Sequence, residues 1–158
     1  MNAVWASLAQ LIMISIAYPA ACLAAATFAV VAILGIDPAE LGEATWPQLV
    51  EIAIYLATTT LRALTSAFWP ALVAAALAEG LKVRGLVPYL VAGCVVGLVR
   101  ALPIAASMSG EAAPPLDGAA VQLSVAGGAV GGFVYWLIAG RSAGRWLELR
   151  WFEEHRWR

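Results

Sequence analysis

Long runs of apolar residues dominate this sequence and decide where the chain can fold. A run of about 18 or more apolar residues is long enough for a helix to cross the hydrocarbon core of a bilayer. Of the 158 residues, 63% are hydrophobic and only 12% are charged, whereas a soluble domain is about half apolar and a quarter charged. The sequence therefore predicts an all-α integral membrane protein with one domain, in direct contact with the lipid bilayer.

Four apolar stretches predict a bundle of four transmembrane helices. The predicted spans cover residues 8–34, 61–80, 86–106 and 119–139, and a cytoplasmic tail covers 141–158. Pro19 is expected to kink the first span, because membrane helices tolerate proline where neighbouring groups satisfy the freed carbonyl. Residues 48–60 continue the second apolar run beyond the length of one crossing, so we expect them to form a helical lead-in.

The distribution of basic residues predicts the orientation. Lys82 and Arg84 lie in the loop between the second and third spans, and the tail after the fourth span contains five arginines. The other two loops contain no lysine or arginine. Because basic residues concentrate on the cytoplasmic side, both termini are predicted to be cytoplasmic. The net charge of −1 gives no sign of a nucleic-acid partner, for which a basic patch is the minimum.

Arg62 and Arg100 are the most informative polar residues, because each lies within a long apolar stretch. An arginine in hydrocarbon is costly and normally faces a partner, a cavity or the headgroup region. The two could extend to the outer headgroups or pair with acids such as Glu51. They could instead share an anion or a lipid phosphate, since guanidinium groups suit phosphate and carboxylate. A salt bridge to another helix is a third possibility.

Small residues recur at intervals of four on the third and fourth predicted spans. This spacing lets helix backbones approach closely, which favours association where lipid provides no hydrophobic drive. The contact could lie within the four-helix bundle or at an interface with another chain, and the sequence leaves both open. The residues concerned are Gly93, Gly97, Ser124, Gly127, Gly128, Gly131 and Gly132.

Aromatic residues near the predicted span ends are typical of interfacial anchors. These are Trp46 on the outer side and Tyr135, Trp136 and Trp146 on the cytoplasmic side. No metalloprotease, phosphate-loop or nucleophile-elbow motif occurs. The isolated cysteines Cys22 and Cys94 indicate small buried side chains, not a metal site. We therefore expect no enzyme activity, no cofactor and no metal.

The segment Tyr135–Gly144, with the sequence YWLIAGRSAG, is similar to the end of small uncharacterised four-span inner-membrane proteins of alphaproteobacteria. The resemblance implies a bacterial inner membrane and implies no activity. The expected role is non-catalytic: packing in a homo-oligomer, or as an accessory subunit of a larger membrane complex. The alternative is a small channel or transporter for an anion, or a binder of anionic lipid, that uses Arg62 and Arg100.

Overall fold

The computed structural model describes residues 2–36, 42, 44–80, 84–102 and 118–142. Within these ranges the chain forms five α-helices and one 3-10 turn, with no strand. The helices are α1 (Asn2–Leu34), α2 (Trp46–Ser66), α3 (Phe68–Gly80), α4 (Leu86–Ala101) and α5 (Gly118–Ile138), and the turn is Gly140–Ser142. The all-helical fold predicted from the sequence is confirmed for these residues.

Two helices are long and apolar enough to cross a bilayer. They are the Gln10–Leu34 part of α1, with 25 residues, and the whole of α5, with 21 residues. Both agree closely with the first and fourth predicted spans. α1 continues through Pro19 as one uninterrupted helix. The bent pair α2–α3 would make a third crossing if it forms one broken span.

The break between α2 and α3 lies at Ala67, where the two helices meet at 60°. The sequence analysis placed the change of structure near Thr60, whereas α2 continues past that residue to Ser66. Pro70 explains the difference. It lacks the N–H that would bond to the Ser66 carbonyl, and its ring clashes with that carbonyl. Proline is tolerated in the first turn of a helix, so α3 can begin at Phe68.

Helix α4 is shorter than the predicted third span. Its 16 residues correspond to about 24 Å of helix at 1.5 Å per residue, less than the roughly 30 Å of the hydrocarbon core. The helix ends at Ala101, and Leu102 is extended, with φ −79° and ψ 144°. Leu102 precedes Pro103 in the sequence, and proline disfavours a helical conformation in the residue before it. The remainder of the predicted span, 103–106, lies outside the described residues.

Helix α5 occupies the centre of the described fold. It packs most extensively against α4 and next against α1, while α1 also packs against α2 and α3 contacts α4. Small residues of α1, including Ala17, Ala21 and Ala26, dominate the buried apolar set, and no large side chain in the described ranges is fully buried. The core therefore consists of closely packed backbones and small side chains, as membrane helices favour.

Candidate functional site

Glycines bring the backbones of α4 and α5 into direct contact. A Cβ atom added to Gly93 would overlap the carbonyl oxygen of Gly128 and lie 3.1 Å from Cα of Gly132. A Cβ atom added to Gly97 would overlap the carbonyl oxygen of Ser124 and lie 2.9 Å from its carbonyl carbon. Five of the small residues identified in the sequence therefore meet across this pair of helices. We call their contact the α4–α5 seam.

The other two glycines of the spaced set on α5, Gly127 and Gly131, face α1. A Cβ atom added to Gly127 would lie 3.5 Å from the carbonyl oxygen of Ala25, and one added to Gly131 would lie 3.2 Å from that of Ala21. These contacts, the α1–α5 seam, are looser than those of the α4–α5 seam. The two overlapping glycine pairs thus serve two different helices of the same chain, which favours packing within the bundle over an interface between chains.

Arg62 and Arg100 lie in different environments. Arg62 is exposed on α2, whereas Arg100 is half-buried in the last turn of α4. Arg100 is close enough to Tyr18 and Cys22 of α1 to interact electrostatically with both side chains. Both arginines have interaction partners. Of the two arginines, Arg100 is the one within electrostatic range of these α1 side chains.

Tyr18 links α1 to both sides of the helix break. Its hydroxyl donates a hydrogen bond of 2.7 Å to the carbonyl oxygen of Leu64. That carbonyl belongs to the last turn of α2, where helix carbonyls lose their regular partners. The ring of Tyr18 also makes an edge contact with Phe68, the first residue of α3, at 6.2 Å between centroids. A tyrosine hydroxyl and a helix-end carbonyl thus meet within electrostatic range of Arg100.

The sequence analysis did not single out Tyr18, although it contained a usable signal. A hydroxyl in the middle of an apolar span must find a protein partner, because lipid tails offer none. That reasoning would have marked Tyr18 as a contact to another helix. It would not have identified Leu64, since the carbonyl is available only where the helix breaks.

Most other hydroxyl groups of α1 and α2 bond to the backbone of their own helix. Each donates to a carbonyl three or four residues earlier, which satisfies the hydroxyl in an apolar setting. The donors are Ser15, Thr27, Thr58, Thr60, Thr65 and Ser66. These side chains have a structural role. Within the described ranges, no group of three or more His, Cys, Asp or Glu side chains could hold a metal ion.

Trp136 joins the end of α5 to the segment before α4. Its indole Nε1 donates a hydrogen bond of 3.0 Å to the carbonyl oxygen of Arg84. The guanidinium carbon of Arg141 lies 5.1 Å from the centroid of the Trp136 ring, within the range of a cation–π interaction. Arg84 and Arg141, which come from two separate basic regions, therefore lie at the same end of the α4–α5 pair.

Tyr135 and Gly140 complete this end of the helix pair. Tyr135 stacks on the buried ring of Tyr89 at 6.0 Å between centroids. A Cβ atom added to Gly140 would lie 2.9 Å from Cδ1 of Trp136 and 2.9 Å from Cζ of Tyr89. The glycine therefore lets the turn after α5 close against two rings. The sequence analysis missed Tyr89 because its aromatic partner, Tyr135, lies more than 40 positions later in the sequence.

The two remaining predicted anchors lie apart from these contacts. Trp46 is the first residue of α2, and 77% of its surface is exposed. Trp146 lies outside the described residues, with the rest of the predicted tail. Interfacial anchoring by either tryptophan stays a prediction.

Comparison with known proteins gives no match: no protein family, no curated protein and no solved structure matches this chain. The resemblance of Tyr135–Gly144 to alphaproteobacterial membrane proteins accordingly stays a prediction. The functional interpretation rests on the seams, the Arg100 neighbourhood and the aromatic end of α4–α5.

Proposed function

We propose that this chain is a small integral protein of a bacterial inner membrane with a non-catalytic role. It packs in a homo-oligomer or as an accessory subunit of a larger membrane complex. In this proposal the predicted spans 8–34, 61–80, 86–106 and 119–139 make four crossings, and both termini are cytoplasmic. The observation that carries the proposal is the inverted distribution of side chains, with small residues between the helices and large apolar residues outside.

The exposed apolar side chains show how extensive the outer surface is. Ile16 of α1 is 56% exposed, Trp69 of α3 is 65% exposed and Val87 of α4 is 67% exposed. A surface of this kind needs lipid or another apolar protein surface to cover it. Because contacts within the chain already use the glycine faces of α5, association with another chain would use the outer faces of α1, α2 and α3.

Cysteine accessibility tests the proposed orientation. In a Cys22→Ala/Cys94→Ala background, we introduce Ser109→Cys or Ser142→Cys and treat intact cells with a membrane-impermeant thiol reagent. Ser109→Cys should be labelled, because its loop is predicted to be periplasmic. Ser142→Cys should be labelled only after the cells are opened. The reverse pattern would show that the orientation is wrong.

The size of the purified particle tests the proposed assembly. After extraction in mild detergent, the protein mass should correspond to several copies of the chain or to the chain with a larger membrane protein. A monodisperse single copy without any co-purifying protein would contradict the packing role.

A second candidate function is an anion path or an anionic-lipid contact at Arg62 and Arg100. The half-burial of Arg100 beside Tyr18 and the broken α2–α3 helix favours it. Helices interrupted within the membrane often form ion and substrate sites, because the interruption frees backbone groups for the ligand. Arg62 lies five residues before the interruption at Ala67 and would approach from the α2 side.

Energetic coupling between Arg62 and Arg100 distinguishes a shared anion or lipid site from two arginines with independent roles. We compare Arg62→Gln, Arg100→Gln and the double variant by anion flux in liposomes and by retained anionic lipid. If the residues share a ligand, their effects should be non-additive by about 0.5 kcal/mol or more. Arg100→Lys should retain part of the activity, because lysine keeps the charge without the planar fork. Strict additivity with unchanged flux and lipid would contradict the candidate.

A further inference from the structure

We infer that Arg84, Trp136 and Arg141 form a binding site for the phosphate of an anionic phospholipid at the end of the α4–α5 pair. This inference rests on the proposed membrane location. It concerns a different group of residues from the Arg62 and Arg100 candidate.

The site is built around the Trp136 side chain. Its indole nitrogen holds the backbone of Arg84, and its ring face holds the guanidinium of Arg141. Trp136 is itself half-buried and stacks on Phe133 at 6.2 Å between centroids. Both arginines are exposed. One indole therefore contacts the guanidinium of Arg141 and the backbone of Arg84, whose side chain is also exposed.

The turn after α5 restricts Arg141 further. Ala139 is 1% exposed, and its N–H donates to the carbonyl oxygen of Tyr135 at 2.9 Å. Gly140 lies against Trp136 and Tyr89 with no room for a side chain. The backbone leading to Arg141 is thus anchored on both preceding residues, which reduces the entropy lost when a ligand binds.

The chemistry of the cluster suits a phosphate. A guanidinium stacked on a ring keeps its N–H groups in the plane and can form paired hydrogen bonds with phosphate oxygens. Helix α4 begins at Leu86, two residues after Arg84, and the intervening N-cap residue Gly85 provides no side-chain cap. The partial positive charge of the helix start therefore adds to that of the two arginines.

The apolar flank of the cluster favours a phospholipid over free phosphate. Phe133 and Leu137 of α5 are 41% and 40% exposed. Four residues separate them, so they lie on one side of α5, and Phe133 stacks on the Trp136 ring that Arg141 contacts. Val87 at the start of α4 is also exposed. Acyl chains could lie on these side chains while the headgroup phosphate meets the arginines, and free phosphate would use only the cations.

Lipid retention by the full chain tests the site. We reconstitute the protein into nanodiscs of phosphatidylcholine and phosphatidylglycerol, extract it gently and identify bound lipid by native mass spectrometry. The parent protein should be enriched in phosphatidylglycerol. Each lost charge-assisted contact should lower the enrichment about tenfold, so Arg84→Gln and Arg141→Gln should each reduce it and the double variant should abolish it. Arg158→Gln is the control for net charge, since it removes one arginine from the tail and leaves both candidate sites unchanged, and it should keep the enrichment.

Further measurements in the same experiment distinguish a phospholipid site from a free-phosphate site and from loss of folding. Arg141→Lys keeps the charge and should retain intermediate enrichment, which also shows that the effect is not loss of folding. Competition by millimolar inorganic phosphate that removes the bound lipid would show a free-anion site and overturn the inference. Equal enrichment in the parent and the double variant would also overturn it. If the parent does not enter nanodiscs, the proposed membrane location and the inference both fail, whereas incorporation without lipid preference overturns the inference alone.

Discussion

Replacing Gly128 with alanine should destabilise the protein by about 3 kcal/mol, whereas the same replacement at the neighbouring Gly127 should leave stability unchanged or slightly increased. The two residues belong to the same helix, so the intrinsic preference of alanine for helix, about 0.5–1 kcal/mol over glycine, applies equally to both. What differs is the neighbour of the new methyl group.

At Gly128 the methyl group would overlap the carbonyl oxygen of Gly93 and lie 3.1 Å from Cα of Gly97. Both are backbone atoms, so α4 and α5 must separate to make room. At Gly127 the nearest atom is the carbonyl oxygen of Ala25 at 3.5 Å, an ordinary contact distance. Equilibrium unfolding in mixed detergent micelles measures the difference. Equal stabilities for the two variants would show that α4 and α5 do not touch at their backbones.

The stability of the protein should depend on the size of the side chain introduced at Gly131, with a small one tolerated and a large one not. Gly131→Ala should be nearly neutral, because the new Cβ lies 3.2 Å from the carbonyl oxygen of Ala21 and needs a shift of only a few tenths of an ångström. Gly131→Leu places an entire branched side chain against α1 and should force α1 away from α5. We expect a loss of about 3 kcal/mol for leucine.

The reaction rate of the Cys22 thiol can report on the movement of α1 away from α5. Cys22 follows Ala21 in α1 and is only 6% exposed, so movement of α1 away from the rest of the bundle should uncover it. In a Cys94→Ala background, N-ethylmaleimide in mild detergent should modify Cys22 much faster in Gly131→Leu than in the parent or in Gly131→Ala. Slow modification in all three proteins would contradict the α1–α5 seam.

The sequence predicted the helices that have uniform composition and long apolar runs. α1 and α5 were located closely because every segment of each run favours the same structure. The bend at Ala67 was misplaced because the analysis followed the polar residues near Thr60. A threonine in a helix can bond to its own backbone and leave the helix intact, as Thr60 does with Leu56, whereas Pro70 removes a hydrogen bond outright.

The candidate residues show the same division between local and long-range information. Spacing by four identified the glycines as a contact surface, because that signal lies within one helix. It did not show that adjacent glycines of α5 face different helices, since this depends on how three helices are arranged in space. The contacts of Tyr18 with Leu64 and of Trp136 with Arg84 join residues 46 and 52 positions apart, and no local pattern encodes such pairs.

The central position of α5 has a consequence for biosynthesis. The ribosome makes α1 to α4 before α5, so both seams stay open until the last of these helices has been made. Until then α1 and α4 expose glycine and alanine faces, which lack the side chains that would shield them from unrelated helices. The nascent chain therefore exposes these faces until α5 arrives, and a protein truncated before α5 should be cleaved by proteases more readily than the full chain.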